Sequence, residues 1–166
     1  MKAFEVIVDM YQKPIFSAAY RICGSVEDAA DITQGVFLKA LQRLDSYDPA
    51  YMLFSWLYRI SVNESLNFVR KESRTVPLDA ERAAEADSGD DPALYTEENE
   101  RRDLLQKALL RLKPEHRAVL VLKHLEELSY EEIADVLGIP EKLVKSRLFS
   151  ARQYLRKELL ELGVGR

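Results

Sequence analysis

Residues 129–155, SYEEIADVLGIPEKLVKSRLFSARQYL, run from a short acidic segment through a Gly-Ile-Pro break into a longer basic segment. Ser129 and Glu132 have the S-x-x-E spacing of a capping box, in which each side chain bonds the other residue's backbone N–H. Tyr130, Ile133, Ala134 and Leu137 then form one apolar helical face. Gly138 supplies the permissive backbone of a tight turn, and Pro140 suits the first position of a second helix. At about 100° per residue, Val144, Leu148, Ala151 and Leu155 gather on one side of that helix. Lys142, Lys145, Ser146, Phe149, Arg152, Gln153 and Arg156 gather on the other. A short helix, a glycine turn and a second helix with an outward basic face make the layout of a helix-turn-helix. A solvated amphipathic helix pair has the same outline. The one-sided sign of the charge, with Ser, Gln and an aromatic on the same face, favours DNA.

The formal net charge of −4 argues the other way only until its distribution is read. Between Val76 and Glu100 there are nine acids against the single base Arg82, whereas Glu141 to Lys157 carries six bases, including Arg147, against one acid. Local charge is what a phosphate backbone feels, and an acidic connector hides the basic module in the sum.

The connector, VPLDAERAAEADSGDDPALYTEENE, also holds Pro77, Ser88, Gly89 and Pro92 and few large apolar residues, too few to offset its ordering entropy. It reads as a tether over 76–100 between helical modules at 1–75 and 101–163. In the first module a helix near Phe4 to Ile22 is expected to kink or restart at Pro14 and to end at Gly24. A second opens at Ser25, with Phe37, Ala40, Leu41 and Leu44 as its apolar stripe, and a third runs from Leu53 to about Glu72. In the second module, helices over Arg102 to Leu112 and Glu115 to His124 precede the quoted pair. Nothing alternates at period two, so the expected fold is all-α, two small helical domains.

With 166 residues, 47% hydrophobic and 31% charged, the composition is that of an ordinary globular chain. No apolar run approaches the roughly 18–20 residues of a membrane span, and the first residues lack the form of a signal peptide. One cysteine, Cys23, and two histidines, His116 and His124, leave neither an internal disulfide nor a metal-ligand spacing. No phosphate loop or catalytic triad pattern appears either. The expectation is a cytoplasmic protein that is not an enzyme and takes no cofactor, metal or obligate small-molecule ligand.

The third helix carries a second concentration of chemistry. Five of the chain's fifteen aromatics, Tyr47, Tyr51, Phe54, Trp56 and Tyr58, fall within twelve positions. Trp56, Asn63, Asn67 and Arg70 then share one face of a continuous helix. Amides bond base edges, aromatics stack on unpaired bases, and Arg70, Lys71 and Arg74 could hold phosphates. Aromatics at helical spacing serve equally well as core, so the stripe alone leaves both uses open.

Taken in order, the two modules resemble the bacterial extracytoplasmic-function (ECF) sigma factors of RNA polymerase over Phe4 to about Leu160. EDAADITQGVFLKAL (27–41) is similar to the region 2 stretch D-x-x-Q-x-x-F, and FSWLYRISVNESLNFVRK (54–71) to W-L-x-x-I-x-x-N. LLRLKPEHRAVLVLKHLEELSYEEIADVLGIP (109–140) resembles the region 4 patterns L-x-x-L-P-x-x-x-R and L-S-Y-x-E-I-A-x-x-L-G-I-P.

The resemblance implies three contact sets. Asp31, Gln34 and Phe37 would dock on the clamp helices of core RNA polymerase, although Phe37 also fits the core stripe. Trp56, Tyr58, Arg59, Asn63, Asn67, Arg70 and Lys71 would handle the promoter −10 element, with a flipped base captured near Asn63. Lys142, Lys145, Ser146, Arg147, Phe149, Arg152 and Gln153 would read the −35 element. The acidic connector would thread toward the RNA exit path. An anti-sigma factor would regulate the protein and could hold it at the membrane, the chain itself not being a membrane protein.

Among the departures from the family pattern are Gly35 where an acid is common, Leu143 for Thr, Ser150 for Arg, and Asn67 for Asp. Two other readings stand beside the sigma factor: a stand-alone regulator using only the C-terminal module, and a sigma mimic that titrates an anti-sigma factor.

Overall fold

The computed structural model describes residues 2–75 and 96–165, with the side chains of Arg74 and Thr75 left aside. The tether expected at 76–100 thus lies outside the described residues except for its last five positions. All elements among the described residues are helical: α1 (Lys2–Cys23), α2 (Val26–Gln42), α3 (Leu53–Thr75), α4 (Glu97–Leu110), α5 (Pro114–Leu120), α6 (Tyr130–Leu137) and α7 (Glu141–Glu161). No helix among them is long and apolar enough to cross a membrane.

α1 is one continuous helix across Pro14, so the restart offered there as one of two outcomes does not occur. Proline removes one helical donor and leaves the Met10 carbonyl without its partner, but Met10 is exposed and water can replace that bond. Ile15, Ala18, Ala19 and Ile22, all fully buried just beyond, hold the helix together by packing. Gly24 ends it at φ +81°, its N–H donating to the Tyr20 carbonyl at 2.8 Å. Ser25 then caps α2, its Oγ accepting from the Asp28 N–H at 3.3 Å.

Gly35 lies in the middle of α2 with no atom within 4 Å of where a Cβ would stand. Alanine there adds helix propensity and meets nothing. Gly35→Ala is therefore expected to stabilise the chain by about 1 kcal/mol, read as a higher urea midpoint at unchanged slope.

α4 starts at Glu97, five residues before the expected Arg102. Thr96 caps it, accepting from the Asn99 N–H at 3.3 Å, and Glu97, Glu98 and Glu100 occupy the first turn, where carboxylates favour the positive end of the helix dipole. Their charge, read as connector chemistry, is also helix-start chemistry. Pro114 opens α5 at its first turn, and α5 passes into a π turn over Val121–Leu125 instead of running as α-helix to His124. The Glu126 N–H there reaches back to the Val121 carbonyl at 3.0 Å, and Glu127 takes a left-handed φ of 55° before α6.

Side chains from both segments share one buried core. Ile15, Ile22, Val36, Leu57 and Val62 from the first are continuous with Leu109, Val119, Leu122, Ile133, Val144 and Leu148 from the second. α3 packs on α5 and α6, and α1 packs on α4 and α5. The second segment thus sits directly against the first, with the α1–α2 flank and the outer side of α7 left to solvent.

Candidate nucleic-acid interface

The α6–α7 unit is built as its spacing requires. Ser129 Oγ accepts from the Glu132 N–H at 3.1 Å, while Glu132 Oε1 accepts from the Ser129 N–H at 3.4 Å. Gly138 ends α6 at φ +66°, a conformation that L side chains resist. Pro140 stands one place earlier than expected, as the N-cap of α7, where its carbonyl receives the Leu143 and Val144 N–H groups at 2.9 and 3.2 Å. Its missing N–H costs nothing there, because the helix ladder has not begun.

Val144, Leu148 and Ala151 bury completely and fix the roll of α7 about its axis. Lys142, Lys145, Ser146, Phe149, Arg152, Gln153 and Arg156 consequently face solvent. Phe149 is 65% exposed, a large apolar ring among cations. Arg147, expected in the same set, is instead half-buried on the flank, close enough to Glu115 and His116 to influence both. It lies some 60° from Val144 around the wheel, nearer the buried side than the basic face.

Lys145 pairs with Glu141 one turn back at 3.7 Å, and Arg152 Nε donates to His124 Nε2 at 3.2 Å. Burial first, then the neighbouring Arg152 and Lys123 charges, hold the His124 imidazole below its ordinary pKa, so at neutral pH it accepts this bond as the neutral ring. The contact fixes Arg152 at the edge of the exposed face.

α3 is one continuous helix, so Trp56, Asn63, Asn67 and Arg70 do share a side. Arg59, Asn63, Asn67, Arg70 and Lys71 are exposed, and half-buried Trp56 leans on Tyr47 with ring centroids 5.2 Å apart. Tyr58 departs from the expected set. It is fully buried, packed on Phe54 at 4.3 Å, and its hydroxyl donates to Glu126 Oε2 at 2.6 Å. Burial, then the Glu126 bond, drives its phenol far above the ordinary range. In this arrangement Tyr58 is a core residue, not a base contact. Arg70 is turned toward the second segment, its guanidinium 2.9 Å from Glu115 Oε1.

Beside these faces, α1 and α2 enclose an apolar groove of about 630 Å³ walled by Phe4, Val8, Phe16, Phe37, Leu38 and Leu41. Asp31 and Gln34 line it and are exposed, in position to make polar contacts with whatever fills it. Phe37 is only 7% exposed and packs edge-on against Phe4 at 6.4 Å, so its larger share is core.

Two family models match the chain: Sigma-70 region 2 over residues 7–75, and Sigma-70 region 4 over residues 102–155. The ECF RNA polymerase sigma factor SigW of Bacillus subtilis is 36% identical over 172 residues, covering 96% of this chain and 90% of its own. The chain belongs to the ECF sigma factors. The ECF RNA polymerase sigma-E factor of Escherichia coli is 32% identical over 170 residues, covering 97% of this sigma factor and 88% of its own length.

Among solved structures, the sigma factor RpoE bound to the anti-sigma factor NepR from Bartonella quintana superposes with a TM-score of 0.76 at 25% identity, over 100% of both chains. CnrH in complex with the cytosolic domain of CnrY gives 0.70 at 27% identity, over 97% of this chain and 89% of that one.

Gln106 lies outside every quoted motif, and Arg117, the arginine that closes the L-x-x-L-P-x-x-x-R pattern, was named there without a role. Gln106 is 2% exposed and donates to the Tyr20 carbonyl at 3.1 Å. Arg117 is 5% exposed and donates to four carbonyls, those of Ile22, Leu109, Leu110 and Leu112. Their acceptors are backbone groups that every residue possesses, so no side-chain pattern could have named the partners.

Proposed function

We propose that this sigma factor binds core RNA polymerase and directs initiation at promoters with −10 and −35 elements, with its two segments dividing the work. Residues 1–75 dock on polymerase through Asp31, Gln34 and the part of Phe37 that lines the α1–α2 groove, and handle the −10 element through Trp56, Arg59, Asn63, Asn67, Arg70 and Lys71. Residues 101–163 read the −35 element through α7, and residues 76–100 connect the two. An anti-sigma factor regulates the protein, which acts in the cytoplasm as a DNA-recognition subunit and not as an enzyme. The observation that carries this reading is the basic, solvent-facing side of α7, set by a capped helix, a left-handed glycine and a buried Val144–Leu148–Ala151 seam.

On that side, Lys142, Lys145 and Arg156 suit phosphates, whereas Ser146, Phe149, Arg152 and Gln153 suit base edges and a thymine methyl. Lys145→Ala with Arg152→Ala is expected to lower −35-dependent transcription about tenfold and to flatten the salt dependence of promoter binding, leaving dependence on the −10 sequence intact. Run-off transcription on promoters with one element scrambled at a time measures this. Equal losses on templates with and without the −35 element would remove α7 from that role.

A further inference from the structure

The π turn over Val121–Leu125 brings a side chain from outside the basic face into contact with it. Val121 and Leu122 are buried, and Lys123 is tied back, its Nζ donating to the Leu128 carbonyl at 3.3 Å and lying 4.6 Å from the Tyr130 ring centroid. His124 follows, exposed, and its Nε2 accepts the Arg152 Nε–H at 3.2 Å. A π turn inserts an extra residue into the helical ladder and re-aims the side chains beyond it, a device frequent at functional sites.

Which donor of Arg152 is used decides what the rest can do. A guanidinium has five N–H groups in one plane, one on Nε and four on the two terminal nitrogens. With Nε–H committed to His124, the bidentate geometry that remains is end-on, through both terminal nitrogens. That fork matches the O6 and N7 acceptors of guanine in the major groove. The tether also removes rotamer freedom before DNA arrives, so less is lost on binding.

We propose that His124 is a positioning residue for promoter reading, holding the Arg152 guanidinium end-on for one guanine of the upstream element. The proposal rests on the promoter-reading function given above. Acid releases the hold, because only the neutral ring has a lone pair at Nε2, and protonation turns that acceptor into a donor facing a cation. The charged groups around the ring are Lys123 of the π turn and Arg152 and Arg156 of α7, which line one cleft with His124 or act on it directly. Burial, then Arg152 and Lys123, keep the imidazole below its ordinary value of 6.5, so the hold is intact at neutral pH. His116, the other histidine, packs on Tyr154 with ring centroids 5.2 Å apart, about 200° around α7 from Arg152.

The test uses the full chain bound to core polymerase, with duplex promoter fragments in which each upstream base pair is varied in turn, competed between pH 8 and pH 5. The readout is the ratio of affinities for matched and substituted fragments, which cancels effects of acid on polymerase or on overall charge. The parent chain should prefer guanine at one position by about tenfold at pH 8. That preference should fall about threefold in acid, the loss setting in below pH 6.5. Arg152→Ala should abolish the preference at that position alone. His124→Leu should lower it about threefold at every pH. His124→Gln, whose carbonyl accepts but does not titrate, should keep the preference at pH 8 and lose the response to acid.

Parent-like selectivity in His124→Leu would overturn the proposal, as would an acid response that persists in His124→Gln and so comes from another group, His116 included. A uniform loss across all sequences in Arg152→Ala would put that side chain on a phosphate and overturn the guanine assignment. If the parent holoenzyme selected no upstream base pair at all, the promoter reading itself would fail and this proposal with it; the other results sink the proposal alone.

Discussion

Arg117→Met is expected to cost this sigma factor about 3–5 kcal/mol of folding stability, among the largest effects of any single substitution. The guanidinium donates to the carbonyls of Leu109 at 2.8 Å, Leu112 at 3.0 Å and Leu110 at 3.1 Å, and to that of Ile22. Leu109 and Leu110 end α4 and Ile22 ends α1, so one cation sits where the negative ends of two helix dipoles meet. Burial lowers its pKa to about 10, which still leaves it charged at neutral pH. Methionine fills similar space but removes these donors, at about 1–3 kcal/mol for each buried carbonyl left unsatisfied, that of Leu109 keeping the Leu112 N–H at 3.1 Å. Lysine keeps the charge but not the planar fork, so Arg117→Lys should recover only part of the loss. Urea denaturation of the three proteins measures the series, and a cost below about 1 kcal/mol for methionine would show that the fork is not structural.

Asp31→Arg combined with Gln34→Ala should weaken binding to core polymerase about 100-fold, equivalent to about 2.7 kcal/mol, while leaving the thermal melt unchanged. Both side chains are exposed in the groove between α1 and α2, and α2 is held by residues on its other face: Ala29, Ile32, Val36 and Ala40. Stability and docking are therefore separable here, which Phe37 does not allow, because its ring supports Phe4. Competition against a labelled parent chain on core polymerase reads the affinity. Full affinity in the double variant would move the docking surface elsewhere.

What could be read from the residues alone was whatever depends on neighbours in sequence. The Ser129–Glu132 box, the Gly138 turn and the Val144–Leu148–Ala151 seam each rest on residues within a few turns of one another, and all three are present in the structure. Tyr58 was misread although the information was there. Two residues beyond Trp56 is about 200° around a helix, which puts Tyr58 on the side of buried Ser61 and Ser65, away from Asn63.

Pro14 does not restart α1 for a different reason: the local penalty of proline is outweighed by the buried residues behind it, a tertiary effect with no local signature. The contact between the two segments was the least legible. Gln106 and Arg117 meet acceptors 86 and 95 residues away, and those acceptors are main-chain carbonyls. The two modules and the promise of each were thus visible from sequence, but not the way they lock together.

The most direct test mixes the purified chain with bacterial core RNA polymerase and sequences the transcripts made from a random promoter library. The account predicts initiation that depends on the added chain, from templates sharing two spaced elements, with selection at the upstream element relaxed by Lys145→Ala and Arg152→Ala. No binding to core polymerase, or no transcripts beyond those of core alone, would contradict it.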